Sequence, residues 1–314
     1  MTTLPITADA IPGTPATTVR RGWDPLSVCL AIVLGGSALL GAVVVAAAGM
    51  QLEPIGFARY ILLAAAMGAL AWWCRSRGLD RRLGTAAAIV GAATLSLMIC
   101  GVIANAGLRL GAPLVDARLA AADAALGFDA GEIIRAVATR PVFTQALSLL
   151  YNSSGLAVVG LIVLALARKS TAKAWELATT AFIAMQLVAL ASPAFPALGA
   201  VRQFALEQLQ GHGLPTGAGV YQWPSFTHFY YGNDELLRLS DLGGVVAFPS
   251  FHTVLALLIT QALGDTRWRV PAIAWTAGII LSAIPMGGHY VVDLAAGFVI
   301  WLAAASIARG VTAQ

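Results

Sequence analysis

Charge is what this sequence has least of. Asp, Glu, Lys and Arg make up 11% of 314 residues, while Ala, Val, Ile, Leu, Met, Phe, Trp, Tyr and Cys make up 59%. Soluble domains carry about a quarter charged residues. So sparse a charged surface excludes a water-soluble monomer and implies an integral membrane protein. Cysteine is scarce as well. Cys29, Cys74 and Cys100 lie in or beside apolar runs, with no CxxC and no metal-ligand spacing, which argues against a disulfide framework or a zinc site. Clustered carboxylates are too few for magnesium, so neither metal nor cofactor is expected. The net charge of +4 follows from membrane topology and gives no reason to expect a nucleic-acid partner. A cleavable signal peptide is not expected either: the first residues are mixed and Pro-rich, and the apolar run after Arg20 and Arg21 is too long for one.

Long hydrophobic runs are what the chain does have. They predict eight spans, at 27–50, 55–74, 84–108, 145–167, 175–197, 245–263, 268–284 and 289–307, in an all-α polytopic membrane helical bundle. Residues 1–22 read as a disordered cytosolic tail and 23–110 as three N-terminal transmembrane helices. Residues 111–314 read as a second membrane unit. Within it, 111–144 mixes Leu114, Leu119, Leu126 and Phe128 with Asp116, Arg118, Asp123, Asp129, Glu132 and Arg135. That is too charged to span. It reads as one or two short interfacial helices with a turn near Gly127, structural or forming a wall of the substrate entrance. Pro193 and Pro196 should stop or kink the fifth helix. Residues 199–243 form the longest hydrophilic loop.

Charge asymmetry sets the orientation. With both termini inside, the short cytosolic segments hold twelve of the 19 basic residues, among them Arg75, Arg77, Arg81, Arg82, Arg168, Lys169 and Lys173. The positive-inside rule therefore predicts N-in, C-in in the cell's inner (plasma) membrane. His252 and His289 then both fall near the outer ends of their helices.

These histidines carry the chemistry. His289 and Asp293 are four residues apart, on one face if both lie in a helix, and such groups at membrane-helix ends are costly unless used. Phosphoryl transfer needs an in-line nucleophile, a proton donor to the leaving oxygen and stabilisation of the equatorial oxygens. His289 can be the nucleophile, oriented by Asp293 through its other ring nitrogen. His252 can protonate the leaving alkoxide and then act as base for the acceptor. The helix start at Ser250 offers free backbone N–H groups to a phosphate, and Gly287 and Gly288 allow close backbone approach.

Phe248-Pro249-Ser250-Phe251-His252 and Gly287-Gly288-His289-Tyr290-Val291-Val292-Asp293 resemble the second and third motifs of the phosphatidic-acid-phosphatase type 2 (PAP2) superfamily, usually PSGH and SRxxxxxHxxxD. Pro249, Ser250, His252, Ser282, His289 and Asp293 match. Phe251 replaces the glycine, Ala283 stands where the phosphate-binding arginine is usual, and the upstream KxxxxxxRP is missing. FPS-x-H with HYxVD is similar to the inositol phosphorylceramide synthase branch, as is the Asp116…Leu126-Gly127-Phe128-Asp129 segment followed by Tyr151. The resemblance spans roughly residues 112–307, a PAP2-like core in the C-terminal two thirds. It implies His289 as nucleophile, Asp293 as its partner and His252 as acid.

Candidates to replace the arginine are Arg202 and Arg238 in the outer loop, with His228 as a pocket wall and Tyr151 and Asn152 as headgroup contacts. The expected activity is a phosphotransferase moving a lipid's phosphoryl or headgroup-phosphate to a small polar alcohol or a lipid hydroxyl. With water as acceptor it is a lipid phosphatase. A transporter or scaffold that lost catalysis is the alternative of a different class. Oligomeric state cannot be read.

Overall fold

Helix boundaries follow local capping chemistry. Asp24, Glu53 and Asp80 each accept a hydrogen bond from a backbone N–H of the helix they precede, at 3.0, 3.0 and 2.9 Å, and Pro25, Pro54 and Pro141 occupy first helical positions, where a missing donor costs nothing. The computed structural model describes residues 24–312. The expected tail at 1–22 lies outside them. Helices α1 (Pro25–Ala47), α2 (Pro54–Ser76) and α3 (Arg81–Leu108) come first. The short α4 (Asp116–Ala125) and α5 (Ala130–Ala138) precede α6 (Pro141–Ala167) and α7 (Thr171–Ala191). Then come α8 (Ala200–Gln203), α9 (Trp223–Tyr231), α10 (Phe251–Leu263), α11 (Arg269–Gly287) and α12 (Val291–Thr312). The strands among the described residues are β1 (Gln51–Leu52) and β2 (Leu236–Leu237), paired in parallel. The fold is all-α.

Among the described residues, seven helices are long and apolar enough to cross a membrane. The sixth expected span is the exception. The apolar run from Val245 is not helical until Phe251, so α10 has only 13 residues. Pro249 cannot donate within a helix, and Ser250 caps the helix that begins at Phe251. In 111–144 the chain forms two short helices, α4 and α5, separated by a turn at Gly127 with φ +81. Helix α6 starts four residues before its expected position, at Pro141. Helix α7 ends at Ala191 and passes into a 3-10 turn, Ser192–Ala194, containing Pro193.

The bundle interior lies between α1, α3, α7, α10 and α12, where Leu26, Leu30, Ile103, Leu177, Ile183, Val254 and Leu258 are buried. Helix α2 packs chiefly against α3 and exposes Leu62 and Trp72, a surface suited to lipid. The 199–243 loop is a cap held by hydrogen bonds to the rest of the fold. Its β2 pairs with the α1–α2 connection, Trp223 Nε1 donates to the Leu198 carbonyl at 3.0 Å, and Tyr230 donates to the Ala112 carbonyl at 2.7 Å. A second buried cluster, including Ile134, Leu147, Tyr151, Val201, Leu214, Ala283 and Tyr290, lies beneath this cap and surrounds the candidate site.

Candidate active site

Two helix ends meet here. Ser250 is the N-cap of α10, its Oγ accepting from Thr253 N at 3.4 Å. Its own N–H donates to the Asp293 carbonyl at 3.1 Å, joining the two motifs directly. Gly297 makes this possible: a Cβ there would overlap the Ser250 carbonyl oxygen. The N–H groups of the first turn of α10 have no carbonyl partner within the helix, and the dipole makes this end positive.

Gly288 terminates α11 in the left-handed region, φ +70, which glycine alone adopts freely. His289 therefore does not sit on a helix, contrary to the sequence expectation. Helix α12 begins at Val291, so Asp293 is its third residue. Asp293 Oδ2 accepts from Tyr290 N at 2.9 Å and from His289 Nδ1 at 3.2 Å. The pairing persists because a carboxylate at this position reaches back to the capping residue's N–H, not because the two residues share a helix face.

With Nδ1–H donating to Asp293, Nε2 is the free acceptor, and it faces Ser250 Oγ at 3.3 Å. Ser250 can donate to Nε2 while accepting from Thr253, so one tautomer satisfies all three groups. The His252 ring lies 6.2 Å from that of His289, centroid to centroid. Tyr151 stacks on His252 at 3.9 Å, and its hydroxyl is 3.1 Å from that of Tyr221. A Cβ added at Gly287 would lie 3.1 Å from both His289 Nε2 and the Tyr151 hydroxyl. His289 Nε2 and the Tyr151 phenol thus border one small space. Ser250, His289 and Asp293 are buried.

The other sequence candidates are engaged elsewhere. Arg202 pairs with Glu207 at 2.8 Å and lies over the Trp223 ring. That hydrogen bond holds the Glu207 carboxyl below its ordinary range. Arg238 pairs with Asp234 at 3.0 Å and Asp241 at 3.5 Å. His228 packs edge-on to Phe229, and Asn152 is exposed and donates to the Ser148 carbonyl at 2.8 Å. Among the described residues none of these four hydrogen-bonds or ion-pairs with His252, His289, Ser250 or Asp293. Neither expected arginine reaches the site, because each is held by acids of its own loop. Ala283 is buried and its carbonyl accepts from His289 N at 3.3 Å. Ser282 bonds back to Ile279 at 2.7 Å. Among the described residues no three His, Cys, Asp or Glu side chains converge as metal ligands.

Sequence reasoning missed Tyr221, Tyr290, Asp116 and Asp123. Tyr290 is fully buried and donates to Asp116 at 3.0 Å. Burial, reinforced by that carboxylate, pushes its phenol up and keeps it protonated. The signal available was the seven-residue spacing of the two aspartates in an Ala-rich helix.

Known proteins bear on this arrangement at the level of family. The family model described as PAP2 superfamily matches residues 117–307, a stretch holding His252, His289 and Asp293. No curated protein and no solved structure matches the chain. Superfamily membership supports activity of the phosphatase or phosphotransferase type on phosphate esters. With over half its length matched, the chain belongs to the PAP2 superfamily.

Proposed function

We propose that the chain is a membrane phosphotransferase acting on a lipid phosphate or phosphodiester through a phosphohistidine at His289. The observation that carries this reading is the Nε2 of His289, placed by the contact of Nδ1 with Asp293 at 3.2 Å and lying 3.3 Å from Ser250 Oγ, with the His252 ring centre 6.2 Å from that of His289. In the first step Nε2 bonds to phosphorus as the bond to the leaving oxygen breaks, and protonated His252 gives that oxygen its proton. In the second, the acceptor hydroxyl gives its proton to His252. Its oxygen bonds to phosphorus and the N–P bond breaks. Asp293 stabilises the cationic ring. The N-terminal amides of α10, with the Ser250 and Tyr151 hydroxyls, serve the phosphoryl oxygens in place of the absent arginine. One negative charge suits such a neutral donor set better than two, which favours a phosphodiester and the inositol phosphorylceramide synthase-like branch.

The site belongs at the extracytoplasmic face of the plasma membrane. The basic turns at Arg75–Arg82, Arg168–Lys173 and Arg267–Arg269 lie at the opposite ends of the helices that lead to it, which supports N-in, C-in by the positive-inside rule. Hydrolysis with water as acceptor is the second reading, since the same phosphohistidine serves both. Labelled phosphatidic acid and a labelled phosphodiester lipid, each incubated with and without inositol or glycerol, separate the two. A labelled phospho-alcohol supports transfer. Free phosphate or free phosphorylated headgroup alone rules out transfer to those acceptors, and no reaction under any condition refutes both readings.

A further inference from the structure

His289 has no helix beneath it, so its ring is placed by the turn 288–292 and by Asp293. That turn is held from outside. Asp123 accepts from Val291 N with Oδ2 at 2.8 Å and from Val292 N with Oδ1 at 2.9 Å. These are the first two amides of α12, which an α-helix leaves without carbonyl partners. Asp116 accepts from the Tyr290 hydroxyl at 3.0 Å, and also from Leu198 N at 2.9 Å and Gly199 N at 2.7 Å. Beside them, Ala200 N donates to the Gly288 carbonyl at 2.7 Å. Both aspartates are buried, 7% and 1% exposed. They stand two turns apart on α4 and so point the same way. Residues 288, 290, 291 and 292, on both sides of His289, are thereby each bonded to α4 or to a segment α4 holds.

We propose that Asp116 and Asp123 are positioning residues, through which the interfacial helix α4 sets the line along which His289 Nε2 meets phosphorus. The proposal rests on the phosphoryl-transfer reading and adds the device that aligns it. Capping alone is the competing explanation. It predicts a lower melting temperature with alignment unchanged. Misplacing a reacting group by about 1 Å costs about 100-fold in rate, so a loosened turn should be felt at the chemistry before the fold is lost.

The test compares orthovanadate with inorganic phosphate on the full chain in detergent. Vanadate adopts the five-coordinate geometry of the transferring group when an imidazole nitrogen approaches in line, whereas phosphate stays tetrahedral. The ratio of the two Kd values therefore reads alignment, whichever lipid is the substrate. Asp123→Ala should lower this ratio about 10- to 100-fold. Asp123→Asn, which keeps one of two acceptor oxygens, should fall between that variant and the native chain. Tyr290→Phe removes one hydroxyl and should lower the ratio least, and it keeps the test decisive if Asp123→Ala fails to fold. If the native chain prefers vanadate and His289→Gln abolishes the preference, yet Asp123→Asn and Tyr290→Phe keep the native ratio, the positioning role is overturned and the phosphoryl-transfer reading stands. If the native chain shows no preference for vanadate, that reading fails and takes the positioning role with it.

Discussion

Replacing Asp293 by Asn separates charge from shape at the catalytic pair. Oδ2 accepts both Tyr290 N and His289 Nδ1, while Oδ1 has no hydrogen-bond partner among the described residues. A carboxamide can keep its oxygen at the first position and place its nitrogen at the second. The turn then survives and only the negative charge is lost. In the proposed mechanism that charge matters when His289 becomes cationic on phosphorylation. At about 4 Å and an effective dielectric constant of about 20, the attraction is about 4 kcal/mol. A charged hydrogen-bond partner is worth at least about 1.5 kcal/mol. With about 1.4 kcal/mol per factor of ten, Asp293→Asn should slow phosphoenzyme formation about 10- to 1,000-fold while changing KM less than about 3-fold. The assay is single-turnover labelling from a phosphate-labelled lipid in mixed micelles, scored as acid-labile, alkali-stable label, with tryptophan fluorescence to follow melting. Native-rate labelling by a folded Asp293→Asn chain would show that the carboxylate charge does not support the nucleophile.

The two histidines should fail differently. His289→Gln should abolish both turnover and labelling, whereas His252→Gln should still label, slowly, from a lipid whose leaving group needs no proton; labelled His289→Gln protein would end the nucleophile assignment. Gly297→Leu should destroy activity by driving α12 away from the Ser250 carbonyl, at about 1–3 kcal/mol or more in stability, and an active, native-melting variant contradicts the close approach. Turnover should be unchanged by EDTA, and loss restored by a divalent cation would reveal a metal. The Arg202–Glu207 pair lies at the surface and should contribute under about 1 kcal/mol. Because Glu207 is shifted down in the fold, that contribution is present above the ordinary glutamate range and is lost as pH falls through the lowered value. The melting difference between the native chain and Arg202→Ala should therefore be visible at pH 7 and shrink as pH falls below the ordinary glutamate range, with activity little affected; a large fall in kcat/KM would return Arg202 to the site.

His252, His289 and Asp293 were legible because membrane helices rarely carry such groups and because the span count put both motifs at one end. The capping turn was not: apolar periodicity runs straight through 289–307 and cannot show that Gly288 breaks the chain into the left-handed region. The start of α10 was misjudged for a similar reason. Val245, Val246, Ala247 and Phe248 are as apolar as a span, but Pro249 and the Ser250 cap fix the first turn at Phe251. Arg238 drew attention through nearness in sequence, yet Asp234 and Asp241 lie nearer still and hold it. Asp123 passed as an ordinary interfacial charge and Asp116 stood out only through the branch resemblance, because their partners, the amides of 198–199 and 291–292, carry no mark in a sequence.

The brevity of α10 has its own consequence. Thirteen residues rise about 20 Å, against a hydrocarbon layer of about 30 Å. Such a helix is about 10 Å too short to cross the layer, yet lipid does not surround it: α10 packs against α6, α7, α11 and α12, and the non-helical residues 245–250 that lead into it are buried or half-buried. Protein thus encloses the irregular backbone ahead of Ser250, whose amides could not be left facing hydrocarbon.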